Sequence, residues 1–431
     1  MSDDISRERN LLEKAARYLP SGDLGNIPSD QPFVLRSGRG SRVWDVAGRE
    51  YIDFLMGSGP LVLGHAHPAV VAAVVEAAET GSTFFATSER AVLLAEEVVN
   101  AVGCADKVRF TTSGTEACFQ AMRIARSFRK RDKILKFEGG YHGSSDYARV
   151  SVTPTVGALR DFPQPVPNSG GIPLAVSETV LVAPFNNSET TSDISEKHPD
   201  ELAAVIVEPV QRVLSPKAGF LESLREVTAH YQIPLIFDEV VTGFRLAYGG
   251  AQETLGVIPD LVALGKILGG GYPLAAVAGR DEIMSIFDQS LAEADSFVPQ
   301  IGTLNGNPVA CAAGLATLAE LRKEGAYERL YATGRRLRDA LERLCLEGEV
   351  PIQPSGEDPI FGFYFTDQPV NDYRDTLKAD GDMMARFNSA ARDQGILKGA
   401  DNKYYPSLAH TPEDVDRTIE VFAYAIDRLK G

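Results

Sequence analysis

The sequence predicts an α/β fold, with a large domain built on a mostly parallel sheet between helices and a smaller α+β domain. From about residue 90 to 310, short apolar runs alternate with helical patterns, at 108–111, 134–137, 180–183, 204–207, 235–237 and 261–263. Repeated β-then-α at this spacing implies parallel strands joined by crossover helices. Polar residues stand directly after four of these runs: Ser113-Gly114-Thr115, Glu208, Asp238-Glu239 and Lys266. Ligands of open α/β sheets bind at the carboxyl ends of the strands, so these four segments are expected to converge on one edge. After about residue 315 the pattern changes to long helices and a smaller αβ unit. The expected boundaries are 1–70 for an N-terminal arm with part of the small domain, 71–315 for the large domain, and 316–431 for the C-terminal small domain.

Residues 4–19 carry apolar positions at Leu11, Leu12 and Ala15 and read as an amphipathic arm that Pro20-Ser-Gly22 ends. Val43-Trp-Asp45 and Tyr51-Ile-Asp-Phe54 flank Ala47-Gly48, the pattern of a β-hairpin with glycine at a positive φ. A helix over roughly 68–79 follows a glycine- and proline-rich lead-in. At the other end, Thr411-Pro-Glu-Asp414 caps a helix whose apolar positions Val415, Ile419, Phe422, Ile426 and Leu429 share one face. The stretch 356–378, rich in Asp and Pro, reads as surface strands and loops.

With 431 residues, 44% hydrophobic content and a formal charge of −16, the chain is an acidic globular protein. The charge repels nucleic acid and anionic membranes at long range, which leaves small molecules as the expected partners. Met1 to Asn10 contains no apolar core segment, and no stretch approaches the ~20 apolar residues of a membrane span, so a cytoplasmic protein is expected. Cys104, Cys118, Cys311 and Cys345 are far apart and fit buried thiols. His65-Ala-His67 lacks a third ligand at a suitable spacing, and no metal is expected.

Lys266 lies between the apolar run 261–264 and the glycines 269–271, which force a change of direction. A lysine at the mouth of a buried sheet is desolvated, which lowers its pKa and suits a Schiff-base nucleophile; the alternative is a side chain reaching water. A phosphate-binding P-loop is excluded, because Gly265-Lys266 is followed by Ile267 and the glycines come after the lysine. No G-x-G-x-x-G follows a strand either. Ser113-Gly114-Thr115 precedes a helix expected to begin near Glu116, so it could cradle a phosphate or simply cap the helix.

Phe237-Asp-Glu-Val-Val-Thr-Gly-Phe-Arg245, Leu264-Gly-Lys-Ile-Leu-Gly-Gly-Gly271 and Gly302-Thr-Leu-Asn-Gly-Asn-Pro308 resemble the class III pyridoxal-phosphate-dependent aminotransferases. Within them the sequence looks most like the glutamate-1-semialdehyde 2,1-aminomutase subgroup. Gly64-His-Ala-His-Pro68 and Ser407-Leu-Ala-His-Thr411 extend the resemblance from about residue 10 to the C-terminus. It implies the fold-type I architecture, pyridoxal 5′-phosphate as cofactor, and a homodimer with shared active sites. It also implies an amino donor and an oxo-acid acceptor as small-molecule substrates.

By the same resemblance Lys266 carries the cofactor and shuttles a proton, while Asp238 faces the pyridine nitrogen. A carboxylate about 4 Å from a pyridinium gains roughly 4 kcal/mol at an effective dielectric near 20, less its desolvation. Ser113, Gly114 and Thr115 would take the phosphate. Tyr141, beside His142, would stack on the ring, unless it is a buried core tyrosine. Glu208 and Gln211 would stand near the ring hydroxyl, and Thr303 would reach the phosphate of the partner subunit.

Three departures from the aminomutases are visible. Their substrate-binding arginine is missing from residues 21–28, Gly57-Ser-Gly-Pro60 replaces Ser-Trp-Gly-Pro, and Ser145-Asp-Tyr-Ala-Arg149 replaces a glycine-serine lid. An intramolecular amine transfer needs a lid that retains its intermediate, so the expected reaction is an ordinary two-substrate transamination, with the aminomutase reaction as the alternative. A substrate carboxylate could then fall to Arg245 or Lys398.

Overall fold

The computed structural model describes residues 2–25, 33–293, 295–399 and 402–430. They form two compact units, one of residues 1–68, 325–369 and 379–431, the other of 69–324 and 370–378.

The second unit is organised by a seven-stranded sheet: β1 (Lys107–Thr111), β2 (Lys133–Phe137), β3 (Val180–Ala183), β4 (Leu202–Val207), β5 (Leu235–Glu239), β6 (Leu261–Leu264) and β7 (Ala275–Gly279). Their order across the sheet is β1-β7-β6-β5-β4-β2-β3. All are parallel except β7, which runs antiparallel between β1 and β6. The apolar runs of the sequence thus become strands, and β7 is the one they do not announce. Its Ala-Ala-Val-Ala-Gly is short in β-branched residues, and its place is set by the chain turning back after β6. Strands β3 to β7 are buried along their whole length, as a sheet covered on both faces requires. Ala117, Ala121, Ile124 and Ala125 of the helix Gly114–Arg129 pack in one apolar cluster with Ile206, Ile236 and Ala263. Each large aliphatic side chain so buried contributes about 1.5–3 kcal/mol.

In the first unit the expected hairpin forms from Arg42–Asp45 and Glu50–Asp53, and Ile396–Leu397 adds to it in parallel. His65 Nε2 lies 2.7 Å from Asp53 Oδ2. The N-terminal helix spans Ser2–Tyr18, with Leu11, Leu12 and Ala15 half-buried. The helix Pro412–Asp427 starts at a capping box formed by Thr411 and Asp414. Its Val415, Phe422 and Ile426 join Phe361, Phe363 and Phe387 in one core. The stretch from residue 356 differs from the surface expected of it. Strand Ile360–Tyr364 is enclosed, with Phe361 stacked on Tyr404 at 5.0 Å, because its unbroken apolar run outweighs the Asp and Pro around it. All four cysteines are buried and free. Among the described residues no helix is long and apolar enough to cross a membrane.

Candidate active site

Asp238 and Lys266 stand at the carboxyl ends of neighbouring parallel strands. Asp238 pairs with Ala263 and Glu239 with Leu264, so Lys266 lies two residues beyond the end of β6, next to the end of β5. Lys266 is half-buried and opens a short 3₁₀ turn, Lys266–Gly269, with its own φ at +48°. A left-handed lysine costs about 1–2 kcal/mol, strain of the sort that collects at functional positions.

The Asp238 carboxylate is 5% exposed and held by three donors. Oδ2 lies 2.8 Å from His142 Nδ1 and 3.2 Å from the Cys118 sulfur, and Oδ1 accepts from the Val240 amide at 3.1 Å. Burial, and then the negative charge of Asp238, push the Cys118 thiol well above its usual pKa, while the charge of Lys266 acts in the opposite direction. The thiol is therefore protonated and donates to the carboxylate. Cys118, His142 and Asp238 are close enough together to hold a metal ion. A thiol kept protonated is a poor ligand, since metals bind the thiolate, and the geometry is that of a braced carboxylate.

The loop after β2 meets the helix Gly114–Arg129 at its N-terminus. That helix begins two residues earlier than the sequence suggests. The Ser113 hydroxyl accepts from the Glu116 amide at 3.2 Å and is thus its cap. A Cβ on Gly114 would come 2.8 Å from Val240, so the first turn lies close against the segment after β5. Gly143 has φ +95°, and a Cβ there would sit 2.5 Å from the Thr115 Cα, a clash with backbone that only glycine avoids. The Ser144 amide donates to the Thr115 hydroxyl at 3.2 Å. Tyr141 is 37% exposed, and its amide donates to Glu208 Oε2 at 3.0 Å. Gln211 is enclosed and gives its Nε2 to the Glu138 carbonyl at 2.8 Å.

The structure therefore brings Ser113, Gly114, Thr115, Tyr141, His142, Glu208, Gln211 and Asp238 into one neighbourhood near Lys266, with Tyr141 bonded to Glu208 and His142 to Asp238. Thr303 lies exposed in the turn that precedes the helix Pro308–Leu321. Arg245 is completely enclosed, so it does not meet a diffusing substrate as the sequence reading allowed.

Two supporting residues were missed. Cys118 lies four residues after Gly114, the spacing that turns a helical side chain to the same face. Lys136 is fully buried in β2 and donates to three carbonyls, those of Gly140 at 3.0 Å, Ala148 at 3.1 Å and Val150 at 2.5 Å. Burial lowers its pKa to about 7. A lysine inside Ile134-Leu-Lys-Phe137 was the available signal, because an unpaired ammonium is too costly to bury in a parallel sheet.

Two buried polar atoms in this cluster, His142 Nε2 and Gln211 Oε1, find no hydrogen-bond partner among the described residues. Such orphans are rare and mark space for a polar group. A helix N-terminus with amides directed outward, a partly exposed aromatic ring, a braced carboxylate and a lysine fit a phosphorylated, protonated heterocycle that carries an aldehyde.

The chain belongs to the class III aminotransferases, the family it matches over residues 26–426. It is 39% identical to glutamate-1-semialdehyde 2,1-aminomutase 2 of Brevibacillus brevis, over 98% of this chain and 99% of that one. It is 37% identical to an omega-transaminase from Sphaerobacter thermophilus, with a TM-score of 0.94 and 98% of both chains covered. The beta-phenylalanine aminotransferase of Variovorax paradoxus is 30% identical, with a TM-score of 0.87, 99% of this chain and 95% of that one covered. The protein is thus an enzyme of the pyridoxal-phosphate-dependent aminotransferase and aminomutase family, and its cofactor is pyridoxal 5′-phosphate.

Proposed function

We propose that this enzyme is a transaminase that moves an amino group between an amine or amino acid and an oxo acid in two successive half-reactions. The cofactor, when bound, supplies an electron sink conjugated to the substrate nitrogen. Lys266 would be its anchoring amine and, when free, would take the proton from the substrate carbon and return it. Asp238, held by His142 and Cys118, keeps a positive charge on the ring nitrogen. Gly114 and Thr115 hold the phosphate, with Ser113 fixing the helix end that presents them. Tyr141 would pack on the bound ring, and Glu208 and Gln211 would bind its polar edge. On this reading residues 69–324 are the cofactor-binding domain.

A homodimer is part of the proposal. Val71, Val75, Phe85, Val92, Leu93, Ile301 and Leu304 are exposed, Phe85 by 71% and Ile301 by 80%. Apolar surface of this kind marks an interaction face. Thr303 lies in the chain between the exposed Ile301 and Leu304, and we propose that it reaches the partner's phosphate.

The observation that carries transamination is the replacement, at 145–149, of the glycine-serine sequence an aminomutase needs to retain its intermediate. The 39% identity to an aminomutase favours the intramolecular reaction as a second reading. Assays with and without an oxo acid separate the two. Transamination stops when the acceptor is withheld, whereas isomerisation of glutamate 1-semialdehyde in its absence ends the first reading.

A further inference from the structure

We infer that Arg374 is a positioning residue for the loop after β2: through Glu138 it fixes the path of residues 139–142, and with it the place of Tyr141 and His142. The inference rests on the proposed role of those two residues at the cofactor and deepens it.

Residues 370–378 group with unit 69–324, although the chain on either side of them, 325–369 and 379–431, belongs to the other unit. Their shape is locally determined. The Asn371 amide donates to Asp375 Oδ2 at 3.0 Å, and Asp372 Oδ1 accepts from the Asp375 amide at 2.9 Å, which caps the single turn Tyr373–Thr376. That turn is seated on the neighbouring loops. Asn186 Nδ2 donates to the Asn371 carbonyl at 2.9 Å, and the Tyr373 hydroxyl donates to the Pro154 carbonyl at 2.9 Å. Burial, and then the charge of Glu138, push the Tyr373 pKa up to about 12, so the hydroxyl stays a donor.

Arg374 makes the contact that matters for the site. Its Nε donates to Glu138 Oε2 at 2.7 Å and its Nη2 to Oε1 at 3.1 Å, the paired match of a guanidinium to a carboxylate. Nη2 also donates to the Arg160 carbonyl at 2.6 Å, and the guanidinium carbon lies 4.2 Å from the centre of the Phe162 ring. Glu138 is 3% exposed, and among the described residues Arg374 is the only group that bonds its carboxylate. Between Glu138 and Tyr141 stand only Gly139, at φ +88°, and Gly140. Consecutive glycines leave a backbone free to take other paths. A Cβ on Gly139 would come 2.7 Å from Tyr373, so the turn Tyr373–Thr376 lies directly across this pliable stretch. The path to Tyr141 is therefore set by what holds Glu138 and covers Gly139. Without Arg374 a buried carboxylate is left unpaired, which is relieved when Glu138 swings toward water and draws the glycines with it. Removing both charges takes that pull away.

The test compares R374M, E138Q/R374M and R374K in the full chain, stripped and then titrated with pyridoxal 5′-phosphate. Amide hydrogen exchange over residues 138–143 in the apoprotein reads the loop without the cofactor. Visible circular dichroism reads how the bound cofactor is held, since the free molecule is achiral. For R374M the expected result is faster exchange at 138–143, a cofactor Kd about tenfold higher and a reduced visible ellipticity. The double variant should return to within about threefold of the wild-type Kd, because the charge that pulls the loop outward is gone. R374K should fall between, keeping the charge and losing the paired geometry. Losses that are equal in R374M and the double variant and follow a lowered thermal midpoint would mark an ordinary packing contact and overturn the inference. So would an R374M indistinguishable from the wild type. Y141L is measured alongside. If it leaves Kd and ellipticity unchanged, the ring contact of Tyr141 falls and takes the inference with it, whereas a perturbed Y141L beside an unperturbed R374M sinks the inference alone.

Discussion

His142 Nδ1 lies 2.8 Å from Asp238 Oδ2, and both groups are almost wholly buried. The aspartate therefore stands where water cannot screen it, and the histidine sets its direction. Asp238→Asn preserves the shape and removes the charge. A neutral amide does not hold a proton on the ring nitrogen, so kcat should fall by roughly 10²- to 10⁴-fold. The cofactor absorbance should titrate at a lower pH than in the wild type. An unaltered titration with unaltered kcat would show that Asp238 faces some other group.

On the proposed assignment, Lys266→Ala removes the anchoring amine and the proton carrier together. Turnover should drop to background, and borohydride should no longer fix the cofactor to the chain, as mass spectrometry would read. Wild-type rates in this variant would end the assignment.

Gly143→Ala places a methyl group 2.5 Å from the Thr115 Cα at φ +95°. Either the loop or the N-terminal end of the helix Gly114–Arg129 must move. The expected outcome is a weaker cofactor affinity, measured by equilibrium dialysis, with a stability loss of about 1–3 kcal/mol.

The exposed valines of the helix Pro68–Thr80 test the proposed dimer. Val71→Asp combined with Val75→Asp adds charge to the apolar face and should yield monomers in sedimentation velocity. If Thr303 completes the partner's site, cofactor affinity falls in parallel. A dimer that survives with full affinity places the interface elsewhere.

His410 is pulled down to about 4 by burial against Phe54, its ring stacked at 4.2 Å and its Nδ1 accepting from the Ser407 amide. Between pH 6.5 and 4 the unfolded chain takes up this proton and the folded chain does not. Stability therefore rises with pH through that window, and going down it costs about 3 kcal/mol. Urea titrations across pH 4–7 should show this slope in the wild type and a flatter one in His410→Gln.

The strands of the large sheet, and the placing of Lys266 and Asp238 at the carboxyl ends of two of them, were legible in the sequence. Parallel strands buried on both faces must be written as unbroken apolar runs, and the residue that ends each run is the one that reaches the ligand edge. Glycine motifs such as 269–271 and 302–306 carry backbone requirements that are likewise local. The antiparallel β7, the thiol of Cys118 under Asp238, the three carbonyls around Lys136, the enclosure of Arg245 and the pairing of Arg374 with Glu138 depended on the tertiary structure. Each is a contact between segments distant in the chain, and neither propensity nor periodicity encodes which side chain another segment will meet. Sequence determined the chemistry available at the sheet edge, and packing decided which groups are charged, which are braced and which can reach a substrate.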